Sequence, residues 1–94
     1  MLDTHPLLET LDNPFAIPCW ELAELPTPVA ELPLPTSSDA EVWYKNDGVT
    51  GWEYGGNKVR KLEFLLADAV EHGCSGVWTV GAIGSNHALA TAIH

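Results

Sequence analysis

The chain has 94 residues, of which 46% are hydrophobic and 18% are charged, and its formal net charge is −9. This composition is typical of one small folded domain and excludes a disordered chain. Four basic residues against thirteen acidic ones argue against nucleic acid or an anionic membrane as a partner, and no apolar run reaches the length of a membrane span.

Residues 1–24 are predicted to form an irregular N-terminal lead, because three prolines interrupt them. The first residues also lack the positive region and apolar core of a signal peptide. Cys19 in this lead and Cys74 further along form no CxxC pair. We therefore expect two reduced thiols in a cytoplasmic protein.

The next part of the chain alternates between prolines and short extended stretches. Four prolines between residues 26 and 35 exclude a central strand or a long helix, although residues 29–32 (VAEL) could form a short edge strand. Residues 36–39 (TSSD) predict a turn, and residues 41–46 (EVWYKN) predict a strand because they are rich in β-branched and aromatic side chains. Residues 49–56 then form a glycine-rich loop of the kind that often carries function.

Basic residues are concentrated at the start of the first predicted helix. Residues 55–61 (GGNKVRK) hold three of the four Lys and Arg residues, whereas residues 1–44 hold eight carboxylates and no basic residue. A basic cluster at a helix N-terminus in an acidic chain predicts a bound anion. Asn57 is the expected N-cap of a helix over about residues 58–72, which has one apolar face and ends at Gly73.

The last part of the chain predicts a second β-α unit. Residues 76–83 (GVWTVGAI) are almost continuously apolar and predict a strand of a parallel sheet with both faces covered. A tight turn at residues 84–86 leads to a helix that starts near Ser85. The order of elements from Val42 onward predicts an α/β fold of parallel-sheet β-α units. Because no stop signal follows the last helix, we expect the chain to be the N-terminal piece of a longer protein.

Polar side chains at the two β-to-α turns are the candidate functional residues. Lys58 could form an imine with a carbonyl through its amine, and the alternative is a solvated lysine at a helix start. The side chains and free N–H groups of Ser85, Asn86 and His87 could bind a carboxylate or phenolate oxygen. In the alternative, Ser85 or Asn86 only caps the final helix. The sequence contains no P-loop, no GxGxxG fingerprint and no set of metal ligands.

These residues carry a family resemblance. Residues 55–64 (GGNKVRKLEF), followed after the apolar run by residues 85–87 (SNH), resemble the 1-aminocyclopropane-1-carboxylate deaminase/D-cysteine desulfhydrase family. These are pyridoxal-phosphate enzymes of the tryptophan synthase β-like fold (fold type II). Residues 25–29 (LPTPV) are similar to the family's opening segment, and residues 43–51 to its next strand and loop. The resemblance implies a partial pyridoxal-phosphate-dependent domain over residues 25–94, truncated at its C-terminus.

The resemblance also implies a role for each matching residue. Lys58 corresponds to the lysine that holds pyridoxal phosphate through an imine and can afterwards move a proton. Asn86 corresponds to the asparagine that hydrogen-bonds the cofactor's ring hydroxyl oxygen. Ser85 and His87 correspond to positions near the substrate carboxylate, where Asn86 also contributes to substrate binding and Ser85 can assist catalysis. The cofactor itself acts as the electron sink.

The resemblance implies a lyase or deaminase for a small amino acid, which in the full-length protein is a homodimer. β-Elimination of D-cysteine to pyruvate, ammonia and sulfide is favoured, because His87 is similar to the desulfhydrase-like members. Ring opening of 1-aminocyclopropane-1-carboxylate to 2-oxobutanoate and ammonia is the alternative. Departures from the family pattern at Gly84, at residues 46–49 and at residues 52–54 affect the identity of the substrate more than cofactor use.

Two further interpretations stay open on the sequence. One is a non-catalytic truncated remnant or interaction module, and the other is a small α/β anion-binding domain without pyridoxal phosphate. In the family the loop that holds the cofactor phosphate lies beyond position 94. We therefore expect the 94-residue chain to bind the cofactor poorly by itself.

Overall fold

The computed structural model describes residues 10–12, 17–33, 35 and 39–94. The elements are β1 (Val29–Glu31), β2 (Trp43–Lys45), a 3₁₀ helix (Asp47–Val49), α1 (Lys58–Glu71) and α2 (Asn86–Ile93). Residues 1–9 and 13–16 of the predicted irregular lead lie outside the described residues. So does most of the turn predicted at residues 36–39.

The two strands pair with each other in an antiparallel ribbon, with Ala30 opposite Tyr44 at its centre. Two further backbone hydrogen bonds extend the ribbon, from the N–H of Leu32 to the carbonyl of Val42 and from the N–H of Asn46 to the carbonyl of Pro28. Both predicted strands are therefore confirmed, although each is shorter than expected. Prolines on either side of β1 limit its length, because proline has no N–H to donate.

Helix α1 confirms the helix predicted for about residues 58–72, and Asn57 is its N-cap residue, as predicted, but without a capping hydrogen bond to its side chain. Asn57 already has helical backbone angles (φ −67°, ψ −14°). The C-terminus is as expected, since Gly73 has a left-handed φ of +72°. The N–H groups of Gly73 and Cys74 donate to the carbonyls of Val70 and Ala69, which is the Schellman arrangement.

Helix α2 begins after a turn at Gly84, whose φ is +84°. It packs against α1 around a small core made by Leu62, Leu66 and Ala90. Partly buried side chains from earlier in the chain surround this core: Trp20, Leu22 and Tyr54. No helix in the described residues is long and apolar enough to cross a membrane.

The parallel sheet predicted from the sequence does not form among the described residues of this chain. Residues 76–83 form no strand, and the antiparallel ribbon of β1 and β2 is the sheet found in the described part. Their apolar side chains face solvent: Trp78 is 99% exposed and Val80 is 94% exposed. The physical reason is that a parallel strand needs a neighbour for its N–H and C=O groups, and no strand of the described residues lies beside residues 76–83.

Candidate active site

Lys58 is the first residue of α1, and the two glycines before it are needed for different reasons. Gly56 has a left-handed φ of +103°, a conformation that side chains disfavour. At Gly55 a Cβ atom would collide with the carbonyl oxygen of Gly48 in the 3₁₀ helix. The sequence around Lys58 therefore folds into a tight turn that presses against the preceding helix.

Hydrogen bonds close this turn from one side. The N–H of Gly56 donates to the carbonyl of Asp47 at 2.7 Å. The fully buried Thr50 hydroxyl lies 2.8 Å from the carbonyl oxygen of Gly56 and 3.1 Å from that of Asp47. The backbone immediately before Lys58 is therefore tied to the 3₁₀ helix.

A half-buried ion pair adds a second set of contacts to Asp47. Arg60 donates from Nε to Asp47 Oδ2 at 3.1 Å and from Nη2 to Asp47 Oδ1 at 2.8 Å. The Thr27 hydroxyl donates to the same Oδ1 at 2.8 Å and lies 2.9 Å from Arg60 Nη2. The hydrogen bonds from Arg60, and then from Thr27, hold the pKa of Asp47 below its usual range. Arg60 is thus committed to a carboxylate within the chain, which leaves less of the basic cluster for an external anion.

The amine of Lys58 has a different environment. Its Nζ donates to Asn57 Oδ1 at 2.9 Å at the protein surface. The ion pairs found in the described residues are those of Arg60 with Asp47 and of His72 with Asp68, so Lys58 is in neither. The amine of this partly buried lysine thus lies at the surface, on a turn whose backbone is fixed.

The second candidate group starts α2. Ser85 Oγ accepts the N–H of Ala88 at 3.2 Å, so the capping role considered for Ser85 is confirmed. Gly81 lies directly beneath it, where a Cβ would collide with the serine side chain. The N–H groups of Asn86 and His87 have no intrahelical acceptor because they belong to the first turn. His87 Nδ1 is buried and has no hydrogen-bond partner within the described part of the chain.

Tyr54 connects the two turns. It precedes Lys58 by four positions, and its ring packs against the core of Leu62, Leu66 and Ala90. Its hydroxyl donates to Asn86 Oδ1 at 3.1 Å. The structure therefore brings Asn86 to the loop that carries Lys58, while no hydrogen bond joins Lys58 itself to residues 85–87 among the described residues. Sequence reasoning left residues 52–54 without a role, and no local pattern predicts a contact 32 positions away.

Glu63 is a second feature that the sequence did not reveal. It lies on the buried face of α1, is fully buried, and its Oε1 accepts the N–H groups of Leu22 at 3.1 Å and Ala23 at 2.9 Å. Its backbone carbonyl accepts the N–H of Trp20. Burial, and then the charge of Glu63, raises the pKa of the Cys19 thiol. This carboxylate holds residues 20–23 against α1, and its role is therefore structural.

Two other features bear on possible ligands. A cavity of about 290 Å³ lies beside the C-terminal half of α1, and Trp20, Leu66, Cys74 and His94 contribute to its lining. It lies toward the opposite end of α1 from Lys58. Among the residues that the structure describes, no group of His, Cys, Asp and Glu side chains is arranged to hold a metal ion.

Comparison with known proteins gives a consistent result. The chain is 45% identical over 93 residues to a bifunctional D-cysteine desulfhydrase/1-aminocyclopropane-1-carboxylate deaminase of Arabidopsis thaliana, a match covering 85% of this chain and 23% of the relative. It is 45% identical over 84 residues to D-cysteine desulfhydrase of Klebsiella pneumoniae, covering 88% and 26%. For D-cysteine desulfhydrase of Salmonella newport the identity is 49% over 76 residues, covering 80% and 23%.

The matches extend over most of this chain but only part of each relative. The chain spans about a quarter of the length of the curated relatives that it matches. No family model matches the chain. No solved structure matches it either. The identities nevertheless agree with the resemblance carried by residues 55–64 and 85–87, and the chain belongs to the 1-aminocyclopropane-1-carboxylate deaminase/D-cysteine desulfhydrase family.

Proposed function

We propose that this chain supplies the lysine-bearing part of a pyridoxal-phosphate-dependent lyase or deaminase that acts on a small amino acid. The observation that carries the proposal is the placement of Lys58. Its amine is exposed at the start of α1, and its turn is joined through Tyr54 to Asn86 at the start of α2. Family membership supports the same assignment, since the relatives are D-cysteine desulfhydrases and 1-aminocyclopropane-1-carboxylate deaminases.

The residues present fit such a cofactor in chemical type. An aldehyde requires an accessible primary amine, and Lys58 Nζ donates a hydrogen bond to the neutral amide of Asn57 at the protein surface. A ring oxygen requires a hydrogen-bond donor, and the exposed Asn86 carboxamide has one in Nδ2. The unpartnered Nδ1 of His87 and the free N–H groups of the first turn of α2 suit a carboxylate.

In this proposal each residue has a distinct task. Pyridoxal phosphate, when bound, supplies the electron sink for breaking a bond at the amino-acid α-carbon. Lys58 binds the cofactor and, once its amine is released by the substrate, accepts or returns a proton. Asn86 orients the cofactor ring and contributes to substrate binding, while Ser85 and His87 bind the substrate carboxylate. Ser85 can take part in catalysis only if its hydroxyl exchanges the N–H of Ala88 for a ligand.

The specific reaction that we favour is β-elimination of D-cysteine to pyruvate, ammonia and sulfide. Ring opening of 1-aminocyclopropane-1-carboxylate to 2-oxobutanoate and ammonia is the alternative, and the Arabidopsis relative is named for both activities. Residues 25–94 would form part of the catalytic domain, in a complete protein that is a homodimer. A panel of D-cysteine, L-cysteine and the cyclopropane amino acid would distinguish the reactions by their products.

Covalent labelling tests the proposal directly. The chain is expressed together with any coding sequence that continues its reading frame, incubated with pyridoxal phosphate and reduced with borohydride. Peptide mapping should find the label on Lys58 in preference to Lys45 and Lys61, and Lys58→Arg should abolish that label. A label distributed equally over the three lysines would overturn the proposal and favour a non-catalytic remnant. Lys45 is a useful internal reference because its Nζ donates to the Thr27 carbonyl at 2.9 Å.

A further inference from the structure

Tyr54 is held at both ends, which distinguishes it from the other side chains of its loop. Its ring packs against the α1-α2 core, and its backbone carbonyl lies 3.5 Å from His94 Nε2. Its hydroxyl lies at the surface, where it donates to Asn86 Oδ1 at 3.1 Å. By contrast, Trp52 in the same loop is 92% exposed. The hydroxyl of Tyr54 therefore has a position fixed by packing rather than by the hydrogen bond alone.

The hydrogen bond between the Tyr54 hydroxyl and Asn86 Oδ1 determines which group of the Asn86 carboxamide stays free for a ligand. A carboxamide has an acceptor oxygen on one side and a donor nitrogen on the other, and a tyrosine hydroxyl can donate to the oxygen. When Tyr54 occupies Oδ1, the two hydrogens of Nδ2 are directed away from it. We propose that Tyr54 is a positioning residue that orients the Asn86 carboxamide so that Nδ2 presents its donors to an anionic ligand oxygen. This inference rests on the proposed function for the identity of that ligand, the ring oxygen of pyridoxal phosphate.

The same contact links the position of the Lys58 turn to that of the Ser85 turn. Tyr54 is followed directly by Gly55 and Gly56, whose close packing and left-handed backbone define the Lys58 turn. A shift of this turn moves Tyr54, and through the hydroxyl it changes the orientation of Asn86. Lys58 and Asn86, the two residues proposed to contact the cofactor, are thereby coupled through Tyr54.

The first test uses the 94-residue chain without any cofactor. Nuclear magnetic resonance of ¹³C,¹⁵N-labelled chain measures the order of the Asn86 side-chain amide and the chemical shift of its carbonyl carbon. Tyr54→Phe keeps the packed ring and removes only the hydroxyl. It should increase the population of disordered Asn86 side chain by about two- to tenfold, the factor that one net hydrogen bond provides. Tyr44→Phe is the matched control, because Tyr44 lies in β2 and is 42% exposed.

Three outcomes decide this test, with unchanged backbone spectra showing that the variants fold. A change at Asn86 in Tyr54→Phe but not in Tyr44→Phe supports the inference. Equal spectra in both variants overturn it. A hydrogen-bond shift at an Nδ2 proton instead of the carbonyl carbon also overturns it, because the tyrosine oxygen would then be the acceptor and Oδ1 the free side.

The second test separates this inference from the proposed function. In the borohydride experiment, Tyr54→Phe should lower the ratio of label on Lys58 to label on Lys45 and Lys61 by about two- to tenfold. If the unaltered protein is not labelled preferentially on Lys58, the proposed function fails. The magnetic resonance data alone then decide whether Tyr54 orients Asn86. Where that preference exists but Tyr54→Phe leaves it unchanged, the proposed function stands and the positioning role of Tyr54 is overturned.

Discussion

The two turns that carry the candidate residues are stabilised in different ways. The Lys58 turn is enclosed by contacts from two other segments. Thr27 belongs to one, and Asp47, Gly48 and Thr50 belong to the 3₁₀ helix and its C-cap. The Ser85 turn follows residues 76–83, whose apolar side chains are largely exposed. It is held mainly by the cap to Ala88, the contact of Gly81 with Ser85 and the hydroxyl of Tyr54.

This difference shows which contacts the chain can make by itself. The Lys58 turn depends on hydrogen bonds and one ion pair, all within residues 20–63, and these are satisfied locally. Residues 76–83 depend on the hydrophobic effect, which stabilises a segment only when other apolar surface covers it. The described residues do not cover this segment, and the relatives have about three quarters of their length outside the match. The two halves of the candidate site therefore differ in how far this chain determines their conformation.

Loss of the Glu63 carboxylate is expected to give the largest decrease in stability, in the part of the chain that includes the Lys58 turn. Glu63→Ala removes the acceptor for the N–H groups of Leu22 and Ala23 and leaves a cavity under α1. We expect the free energy of unfolding in urea to fall by about 2–4 kcal/mol. Glu63→Gln is the matched variant, because it keeps an acceptor oxygen of nearly the same shape and should lose less than half as much. Equal losses in the two variants would contradict the role of Glu63 as an acceptor.

The glycines before Lys58 should be the next most sensitive positions. Gly55→Ala places a methyl group against the backbone carbonyl of Gly48, which cannot move without breaking the 3₁₀ helix. We expect a loss of about 1–3 kcal/mol in the free energy of unfolding. Gly76→Ala is the control, because nothing lies near a Cβ at that position. If thermal melts showed the same loss for both variants, the tight turn before Lys58 would not be the cause.

The ion pair of Asp47 with Arg60 gives a pH-dependent prediction. The pKa of Asp47 is lowered in the folded state, so its contribution is complete above the unfolded pKa near 3.8 and is lost as pH falls through the lower folded value. Asp47→Asn should therefore lower the free energy of unfolding by about 1–2 kcal/mol at neutral pH, and this difference should shrink below about pH 4. Urea denaturation as a function of pH measures both effects.

Asp68→Asn is the control for this prediction. Asp68 also has an ion-pair contact, with His72 at the C-cap of α1, but Asp68 and His72 are 59% and 72% exposed. Exposed pairs of this kind contribute little to stability. A loss in Asp68→Asn equal to that in Asp47→Asn would mean that removal of any carboxylate from this acidic chain has the same effect, and that the ion pair of Arg60 is not special.

Local sequence patterns predicted the elements whose stabilising contacts are local. The spacing of Val59, Leu62 and Leu66 predicted α1, and Gly73 predicted its end. The same patterns predicted the start of α2 near Ser85, because an N-cap is a short-range hydrogen bond. They failed at residues 76–83, where a covered strand was predicted and none is found. An apolar composition indicates that a segment would be stable when buried, but not whether another part of the chain is there to cover it.

The connections within the candidate site could not be predicted from the sequence. The string at residues 55–64 identified Lys58, but the partners of Arg60 lie 13 and 33 positions away, at Asp47 and Thr27. Contacts of that range depend on how the chain turns between them, and the prolines near Thr27 gave no indication of it. The contact of Tyr54 with Asn86 was missed for the same reason. Sequence alone therefore gave the candidate site residues as predictions but not the contacts that hold them in position.

The smallest effect on stability is expected in residues 76–83, which precede the Ser85 turn. Ile83→Lys tests whether this segment is packed within the chain. Ile83 is fully exposed, so the substitution should change the free energy of unfolding by no more than about 0.5 kcal/mol. It should nevertheless reduce self-association of the chain, measured by sedimentation, because it interrupts an exposed apolar segment. Val49→Lys is the matched control, since it adds the same charge at a 48% exposed valine outside this segment. A large loss of stability in Ile83→Lys would show that residues 76–83 are packed within this chain, and the contrast between the two turns would then disappear.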